Sequence, residues 1–227
     1  RTAHGNRSEV QLSDGSTVLL DARSKLTYPE KFDSCRREVS LEGKAYFTVK
    51  SDKSKPFIVN TNRIRVYATG TKFDISDYGN KPESRVTLVA GKVAVSKMLE
   101  GTPKKIIADL KPDQCLIYDS STQEIKVEEG NSYEQVAWKD GLLVFRNEPM
   151  GKVVEKLGEV FEVDIELKDK SLEDYRYRAT FQDETLSEIL KLLKISSPID
   201  YVELERDPLP DGSFEPRKVI IFRAETK

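Results

Sequence analysis

The sequence predicts an all-β domain, a sandwich or roll of many short strands, followed by a small α+β domain of two β-α-β repeats. The first domain is predicted over residues 1–130 and the second over residues 131–227. Two observations lead to this division. Up to about residue 127, short apolar runs alternate with turn residues and no helical period of convincing length appears. From residue 142 onward, strand patterns alternate with the apolar stripe of an amphipathic helix.

Three turn signals of one kind organise the first domain. In each, a glycine stands between two apolar runs, which is typical of a β-hairpin because glycine adopts positive φ at little cost. The turns are Asp14-Gly15 between residues 9–12 and 17–20, Glu42-Gly43 between residues 38–41 and 45–49, and Ala90-Gly91 between residues 86–89 and 93–95. Further strands are predicted at residues 57–59, 64–67, 73–75 and 115–118, and the polar residues 120–132 are predicted to link the two domains.

The second domain repeats one pattern after 36 residues (181 − 145), the distance from Phe145 to Phe181. An apolar strand that ends at Phe145 is followed by Pro149, a helix-start signal, and then by apolar residues at spacings of three, four and seven. The helix stripe and the next strand return in the same phase after Phe181. The repeats are predicted at residues 142–167 and 177–204, and a final strand at residues 218–223 completes their sheet.

The composition excludes several classes of function. The chain has 37 lysines and arginines against 39 acidic residues and a net charge of -2, which argues against a nucleic-acid partner. No stretch approaches the roughly 18 consecutive apolar residues of a membrane helix, and no secretory signal peptide is present. Because the sequence starts at Arg1, we expect a fragment or trimmed product of a longer protein.

Few residues are available for conventional catalysis or metal binding. His4 is the only histidine and lies near a terminus, so a Ser-His-Asp or Cys-His arrangement is hard to build. Cys35 and Cys115 are far apart, and they are either bridged in an oxidising compartment or packed as unpaired small hydrophobes. No cofactor and no metal site is predicted.

The strands of the first domain carry a series of phrases in a fixed order. They are LSDGS at residues 12–16, REVSLEGKAYF at 37–47, KPFIV at 55–59, ATGTKFDI at 68–75, VTLVAGKV at 86–93 and LKPDQ at 110–114. Their order and spacing resemble the periplasmic part of the FecR family of transmembrane anti-sigma factors. The segment AWKDGLLVF at residues 137–145 resembles the C-terminal domain of Bacteroidetes-type members. Ala90 departs from the family, which usually has glutamate at this turn.

The resemblance implies a role in signalling between two membranes. Family members have a cytoplasmic domain that holds an extracytoplasmic-function (ECF) sigma factor, one membrane helix and a periplasmic region. The periplasmic region receives a signal from the N-terminal signalling domain of a TonB-dependent outer-membrane transporter, and regulated proteolysis then releases the sigma factor. By this resemblance the chain is the periplasmic region, and the missing N-terminal helix would anchor the full protein in the inner membrane.

The peptide bond between Gly70 and Thr71 is the one that the resemblance singles out. Some family members cleave themselves at a Gly-Thr bond by an N-to-O acyl shift, in which the threonine hydroxyl attacks the preceding carbonyl. This chemistry needs a strained peptide, a nearby proton acceptor and a glycine that permits the strain. The alternative is that Gly70 serves a β-bulge or a close strand crossing. Apart from this single-turnover step, no enzymatic activity is predicted.

One strand pattern in the second domain is the candidate partner-binding strand. Alternation places Tyr175 and Tyr177 on one face and Arg176, Arg178 and Thr180 on the other. At a sheet edge, the free backbone groups of such a strand accept a strand from a partner, and arginine and tyrosine are common interface anchors. The alternative is an ordinary strand with a solvated basic face.

Two other functions stay open at this point. A carbohydrate or cell-wall binding module needs exposed aromatic platforms, and Trp138, the sole tryptophan, is either such a platform or a packing residue at the domain junction. A hydrolase needs two carboxylates at a fixed separation in a cleft. Candidate acids are Glu128, Glu129, Asp183 and Glu184, whose alternative roles are solvated surface acids and helix caps.

Overall fold

The computed structural model describes residues 7–99, 101–206, 215 and 217–224. It divides the chain into two compact units, one ending at Asp140 and the other beginning at Gly141, and each is described here by itself. The prediction of a largely all-β fold with a small β-α-β region at its end is confirmed. The boundary lies ten residues (140 − 130) after the predicted one, because residues 131–140 pack on the first unit.

The first unit contains twelve strands among its described residues. They are β1 (Ser8–Gln11), β2 (Thr17–Leu20), β3 (Lys25–Thr27), β4 (Arg37–Thr48), β5 (Phe57–Asn60), β6 (Ile64–Ala68), β7 (Lys72–Asp77), β8 (Glu83–Ala90), β9 (Val93–Leu99), β10 (Thr102–Leu110), β11 (Gln114–Asp119) and β12 (Ile125–Glu129). All belong to one mixed sheet with the order β10-β9-β6-β5-β4-β7-β8-β11-β12. Off this path, β2 and β3 pair with β4, and β1 pairs with β2.

The long strand β4 holds the two halves of this sheet together. Its first residues pair in parallel with β5, and its last six pair antiparallel with β7, so the sheet curls around one core. The predicted hairpin at Glu42-Gly43 is therefore wrong, because β4 continues through it. Gly43 has φ +101°, and a Cβ there would lie 2.6 Å from Ser24 Oγ. This glycine serves a close approach of two chain segments rather than a turn.

The other two turn signals have different outcomes. The hairpin at Asp14-Gly15 is confirmed, since β1 and β2 pair antiparallel across it. The hairpin at Ala90-Gly91 is wrong, because β8 pairs with β7 and β11 whereas β9 pairs with β6 and β10. Gly91, with φ +94°, turns the chain from one half of the sheet to the other.

The structure has three strands that the sequence did not predict, namely β3, β10 and β12. The last of these lies inside the predicted linker of residues 120–132, where it pairs with β11 at the edge of the sheet. All five of its residues are exposed. A strand that is wet on both faces shows no apolar alternation strong enough to separate it from a polar linker.

Residues 131–140 close the first unit as a short helix α1 (Ser132–Val136) and a 3-10 turn (Ala137–Asp140). The hydroxyl of Ser132 donates to Asp113 Oδ1 at 2.6 Å, which fixes the start of α1. Val136 and Ala137 are buried. Trp138 Nε1 donates to Asp74 Oδ1 at 2.9 Å, which fixes the turn.

The second unit contains five strands and two helices among its described residues. They are β13 (Leu142–Pro149), α2 (Met150–Phe161), β14 (Val163–Leu167), β15 (Arg176–Gln182), α3 (Leu186–Ser196), β16 (Ile199–Glu203) and β17 (Arg217–Arg223). A 3-10 turn at Lys170–Leu172 precedes β15. The element order agrees with the two predicted β-α-β repeats.

The strands of each repeat do not pair with each other, so the expected single sheet is wrong. The first strands of the repeats form one antiparallel pair, β13-β15. The second strands flank the final strand in the order β14-β17-β16, which makes β17 central rather than terminal. Both helices bury their apolar faces in a shared core with the inner sides of these sheets. This duplicated arrangement buries what neither repeat could bury alone.

Candidate partner-binding surface

Strand β15 is an edge strand of a two-stranded sheet. Within the described part of the chain, it pairs only with β13. Tyr177 is buried in the core, and Tyr175, just before the strand, is half-buried against it. Arg176, Arg178 and Thr180 are exposed. The structure therefore places all five candidate residues on one strand segment, with the aromatic rings as anchors and the basic face in solvent.

Local contacts hold β15 in position. The 3-10 turn before it buries Leu172 completely, and the backbone N–H of Tyr175 donates to the carbonyl of Leu172 at 3.1 Å. The hydroxyl of Tyr177 donates to Ser197 Oγ at 2.7 Å, just beyond α3. Burial raises the pKa of the Tyr177 hydroxyl, so it stays protonated and keeps this hydrogen bond over the physiological range.

Two arginines lie opposite each other on the outer face of the pair. Arg146 of β13 is in register with Arg178 of β15, and both are exposed. A β-bulge at Asn147, with φ +56°, follows directly. Its carbonyl accepts a hydrogen bond from a guanidinium N–H of Arg176 at 3.1 Å. Three guanidinium groups therefore share this end of the two-stranded sheet.

The two edges of the β13-β15 sheet differ in what contacts their backbone groups. On β13, the carbonyl of Val144 accepts a hydrogen bond from Lys156 Nζ of α2 at 3.1 Å. For β15, the structure shows no second strand among the described residues. An edge of this kind offers backbone donors and acceptors to another chain, and charged side chains normally discourage indiscriminate pairing there.

The carboxylates considered for hydrolysis have local roles. Glu128 forms an ion pair with Lys126, and Glu129 accepts a hydrogen bond from Gln114 Nε2 at 3.3 Å. The carboxylate of Glu184 accepts from the backbone N–H of Gln182, and Asp183 adopts φ +65° at the turn after β15. The described residues contain no group of three or more potential metal-ligating side chains.

The bond between Gly70 and Thr71 lies in a crowded crossing between β6 and β7. Gly70 has φ +153°, and a Cβ there would lie 2.7 Å from the Cα of Ser51. A Cβ on Gly91 would lie 2.8 Å from the carbonyl oxygen of Gly70. Gly70 therefore lies at a close crossing of chain segments, which is the structural role considered as the alternative to self-cleavage. Thr71 is 4% exposed, and its hydroxyl has no hydrogen-bond partner among the described residues.

Trp138 packs within the first unit, and its ring is covered by other side chains. Its indole is hydrogen-bonded to Asp74, and two cations lie over the ring, Lys44 Nζ at 4.8 Å and the guanidinium of Arg7 at 5.8 Å. Sugar-binding sites use an open aromatic face, so this arrangement favours the packing role. Asp74 itself is 4% exposed, and burial raises its pKa to about 6.

Neither cysteine is bridged in the structure. Cys35 is exposed, and Cys115 is half-buried with its sulfur 3.3 Å from Thr87 Oγ1. The packed thiol that we expected is therefore found at Cys115 and not at Cys35. His4 lies outside the described residues. In the part of the chain that the structure covers, no helix has the length and apolar character needed to span a bilayer.

Comparisons with known proteins agree with this architecture. The family described as FecR protein matches residues 1–94, and the family described as FecR, C-terminal, matches residues 142–207. Two crystal structures of a candidate anti-sigma factor from Parabacteroides distasonis ATCC 8503, at 1.65 Å and 2.50 Å resolution, are similar to the chain with TM-scores of 0.77 and 0.75. Each is 27% identical over 99% of this chain, which corresponds to 98% and 97% of the respective crystallised chains. No curated protein matches the chain.

The matches cover both units in the order that the sequence phrases indicated. The chain is therefore a signalling regulator. It belongs to the FecR family, which confirms the resemblance found in the sequence.

Sequence reasoning identified β15 but missed Arg146, which is paired with it in the second unit, and the buried Asp74 in the first unit. Arg146 directly follows the apolar run of β13, and only the pairing register reveals that it faces Arg178. Asp74 lies in the run Phe73-Asp74-Ile75, where alternation indicates an outward-facing and solvated acid. A single charged residue between two core positions of a strand can indicate a buried charge, although the sequence does not show which residue forms its hydrogen bond.

Proposed function

We propose that the chain is the periplasmic signal-receiving region of a membrane-anchored anti-sigma factor. It relays the occupancy of a TonB-dependent outer-membrane transporter to an ECF sigma factor, which a cytoplasmic domain outside this sequence holds. Support comes from the FecR family membership and from the similarity to a candidate anti-sigma factor over nearly the whole chain. Release of the sigma factor follows regulated proteolysis of the full protein.

The main observation in favour of a contact with the transporter is that β15 lies at the edge of its sheet. Its aromatic residues Tyr175 and Tyr177 fix the strand to the core, while Arg176, Arg178 and Thr180 face outward. The N-terminal signalling domain of the transporter docks on this edge and continues the sheet. Main-chain hydrogen bonds give such a contact its affinity, and the alternate side chains give it specificity.

Titration calorimetry of the full chain with purified transporter signalling domains tests this contact. Charge reversal at Arg176 and Arg178 is expected to weaken binding by about tenfold or more, because rim charges steer and anchor the complex. Arg223→Glu, an exposed arginine on a strand of the same unit, is the matched control and is expected to bind like the wild type. Unchanged affinity of the Arg176 and Arg178 variants, with circular dichroism showing both folded, removes β15 from the interface.

We also propose that the full periplasmic region cleaves itself once, between Gly70 and Thr71. Thr71 Oγ1 attacks the carbonyl carbon of Gly70, the peptide C–N bond breaks, and the hydroxyl proton passes to the released amine. Water then hydrolyses the ester, leaving a carboxylate on Gly70 and a free amine on Thr71. The positive φ of Gly70 and the unpartnered hydroxyl of Thr71 support this step. The reaction also needs a nearby proton acceptor, and no described residue accepts a hydrogen bond from Thr71 Oγ1.

Cleavage would leave the first unit assembled, because β4 from the N-terminal piece pairs with β7 from the C-terminal piece. Intact-mass measurement under denaturing conditions is therefore the test. Two fragments whose summed mass exceeds the chain by one water are expected, and Thr71→Val, which keeps the shape without the hydroxyl, is expected to stay whole. Finding only uncleaved chain in freshly expressed periplasmic region would count decisively against this step.

A further inference from the structure

Strand β12 lies at an edge of the sheet in the first unit. Among the described residues it pairs only with β11. The β11-β12 ladder is flanked by two backbone hydrogen bonds of 3.0 Å, from the N–H of Asp119 to the carbonyl of Glu124 and from the N–H of Gly130 to the carbonyl of Asp113. Because hydrogen-bonded pairs alternate along an antiparallel ladder, the even-numbered residues of β12 bond to β11. The odd-numbered residues therefore direct their backbone N–H and C=O groups to the outer edge.

This edge also carries two exposed apolar side chains on the core side of the sheet. On β11, Leu116 lies opposite Val127 and is completely buried. Tyr118 lies opposite Ile125 and is also buried. Residues directly opposite each other point to the same face of a sheet, yet Val127 and Ile125 are exposed. The apolar inner face of the sheet therefore extends to β12, where it meets solvent.

The charges on the other face of β12 fit a second copy of the same strand. Lys126 and Glu128 lie on this face and form an ion pair with each other within the chain. If two copies of β12 pair antiparallel about a twofold axis at Val127, Lys126 of each copy lies opposite Glu128 of the other. The intrachain ion pairs are kept, and the four charges alternate in sign around the axis.

Other registers are less favourable for this pair of strands. A shift of two residues places either two copies of Lys126 or two copies of Glu128 opposite each other, and like charges in that position disfavour pairing. A shift of one residue sets the outward backbone groups of one strand against residues whose own groups bond to β11. Only the register centred on Val127 satisfies both the backbone and the charges.

We propose that β12 is a self-association edge, to which a second copy of this chain adds its own β12 antiparallel about a twofold axis at Val127. The outward backbone groups of the odd-numbered residues bond across the axis, and Val127 packs beside its counterpart on the inner face. The pairing uses the same edge of both copies, so association stops at the dimer. A five-residue edge gives a small interface, and we expect a dissociation constant on the order of 100 µM.

This inference goes beyond the proposed function and concerns the first unit, whereas β15 belongs to the second. Sedimentation velocity of the whole chain from about 5 to about 500 µM, on both sides of the expected constant, measures the dimer. Lys126→Glu and Glu128→Lys each create like charges across the axis, so each variant alone is expected to dimerise at least about tenfold more weakly.

An equimolar mixture of these two variants is the decisive sample. Both have lost the ion pair within the chain, but in a mixed dimer every charge at these positions lies opposite one of the other sign. The mixture is therefore expected to recover dimers that neither variant forms alone. Lys25→Glu and Glu42→Lys, which break an exposed ion pair between β3 and β4 of the same unit, are the matched controls and are expected to dimerise like the wild type.

Val127→Pro tests the backbone part of the proposal. The N–H of Val127 points to the outer edge, so proline removes a donor needed by the second copy without removing a bond to β11. The variant is expected to keep the circular dichroism of the wild type and to stay monomeric. A wild-type chain that is monomeric at the highest concentration, a mixture that recovers no dimer, or a Val127→Pro variant that dimerises overturns the proposal.

Discussion

Trp138 Nε1 donates a hydrogen bond to Asp74 Oδ1 over 2.9 Å, and this contact ties residues 137–140 to the middle of the first sheet. Asp74 lies on β7 opposite Tyr46 and Thr87, and all three are buried. Burial raises the pKa of Asp74, the charge of Lys44 and the indole N–H lower it, and the charge of Asp21 raises it again. The net result is a pKa of about 6 for the carboxylate that accepts this hydrogen bond. Trp138 lies three residues (141 − 138) before the second unit begins.

The first prediction uses the fluorescence of Trp138 to follow the protonation of Asp74. Because it is the sole tryptophan, its emission reports the charge of the carboxylate that it contacts. We expect a sigmoidal change of fluorescence with a midpoint near pH 6. Asp74→Asn, which keeps an acceptor oxygen without the titration, is expected to abolish the change. Because an unperturbed imidazole changes charge in a similar pH range, His4→Gln is the control and is expected to keep the midpoint. Loss of the transition in His4→Gln alone would contradict the assignment.

The same carboxylate predicts how stability depends on pH. The folded-state pKa of Asp74 lies above its unfolded value of about 3.9, so the folded state binds this proton more readily. The contribution of Asp74 to the free energy of unfolding therefore rises as pH falls from about 7 to about 4, by on the order of 3 kcal/mol at most. Urea unfolding of wild type and Asp74→Asn across this range measures it. A wild-type slope that matches the variant would refute the prediction.

The fold class followed from the sequence because turn residues and apolar alternation are local. What the sequence did not indicate depends on contacts between distant residues. The pair Glu42-Gly43 has the composition of a hairpin turn, yet β4 continues through it. Gly43 is needed there because Ser24 lies too close to leave room for a Cβ. Asp74 alternates as a solvated residue would, yet it is buried and accepts a hydrogen bond from Trp138, 64 residues later.

The candidate partner-binding surface also depends partly on contacts between distant residues, which the sequence does not reveal. Alternation alone predicted which face Arg176 and Arg178 occupy, and the structure places them so. That β15 lies at an edge, and that Arg146 faces Arg178, depends on which strands pair and in which register. The bulge at Asn147 shifts that register, and asparagine in positive φ is common enough elsewhere that it does not identify a bulge.

Arg37 is predicted to be the most sensitive charged residue of the first unit. It is 2% exposed, its Nε donates to the carbonyl of Lys55 at 2.8 Å, and one terminal nitrogen lies 2.8 Å from both Asp14 Oδ2 and the carbonyl of Lys50. Removing one partner of a buried, hydrogen-bonded charge leaves the others unsatisfied, so Arg37→Ala is expected to cost about 3–5 kcal/mol. Denaturant unfolding measures this loss.

The neighbouring Arg36 provides the control for that substitution. Its side chain is 56% exposed and pairs with Glu38 on the surface. Exposed ion pairs contribute little, so Arg36→Ala is expected to change the unfolding free energy by less than about 1 kcal/mol. A similar loss in both variants would mean that the burial of Arg37 does not determine stability.

The last prediction separates a glycine that the fold requires from one that it tolerates. Gly43→Ala forces a non-glycine residue to φ +101° and brings its Cβ to 2.6 Å from Ser24 Oγ, so a loss of about 2–3 kcal/mol is expected. Gly151 lies in α2 with open space around it, so Gly151→Ala is expected to stabilise the second unit by about 0.5–1 kcal/mol. Thermal unfolding of both variants measures the difference. Because the two substitutions add the same methyl group, opposite signs can come only from backbone conformation and local space, and equal signs would show that β4 does not need its glycine.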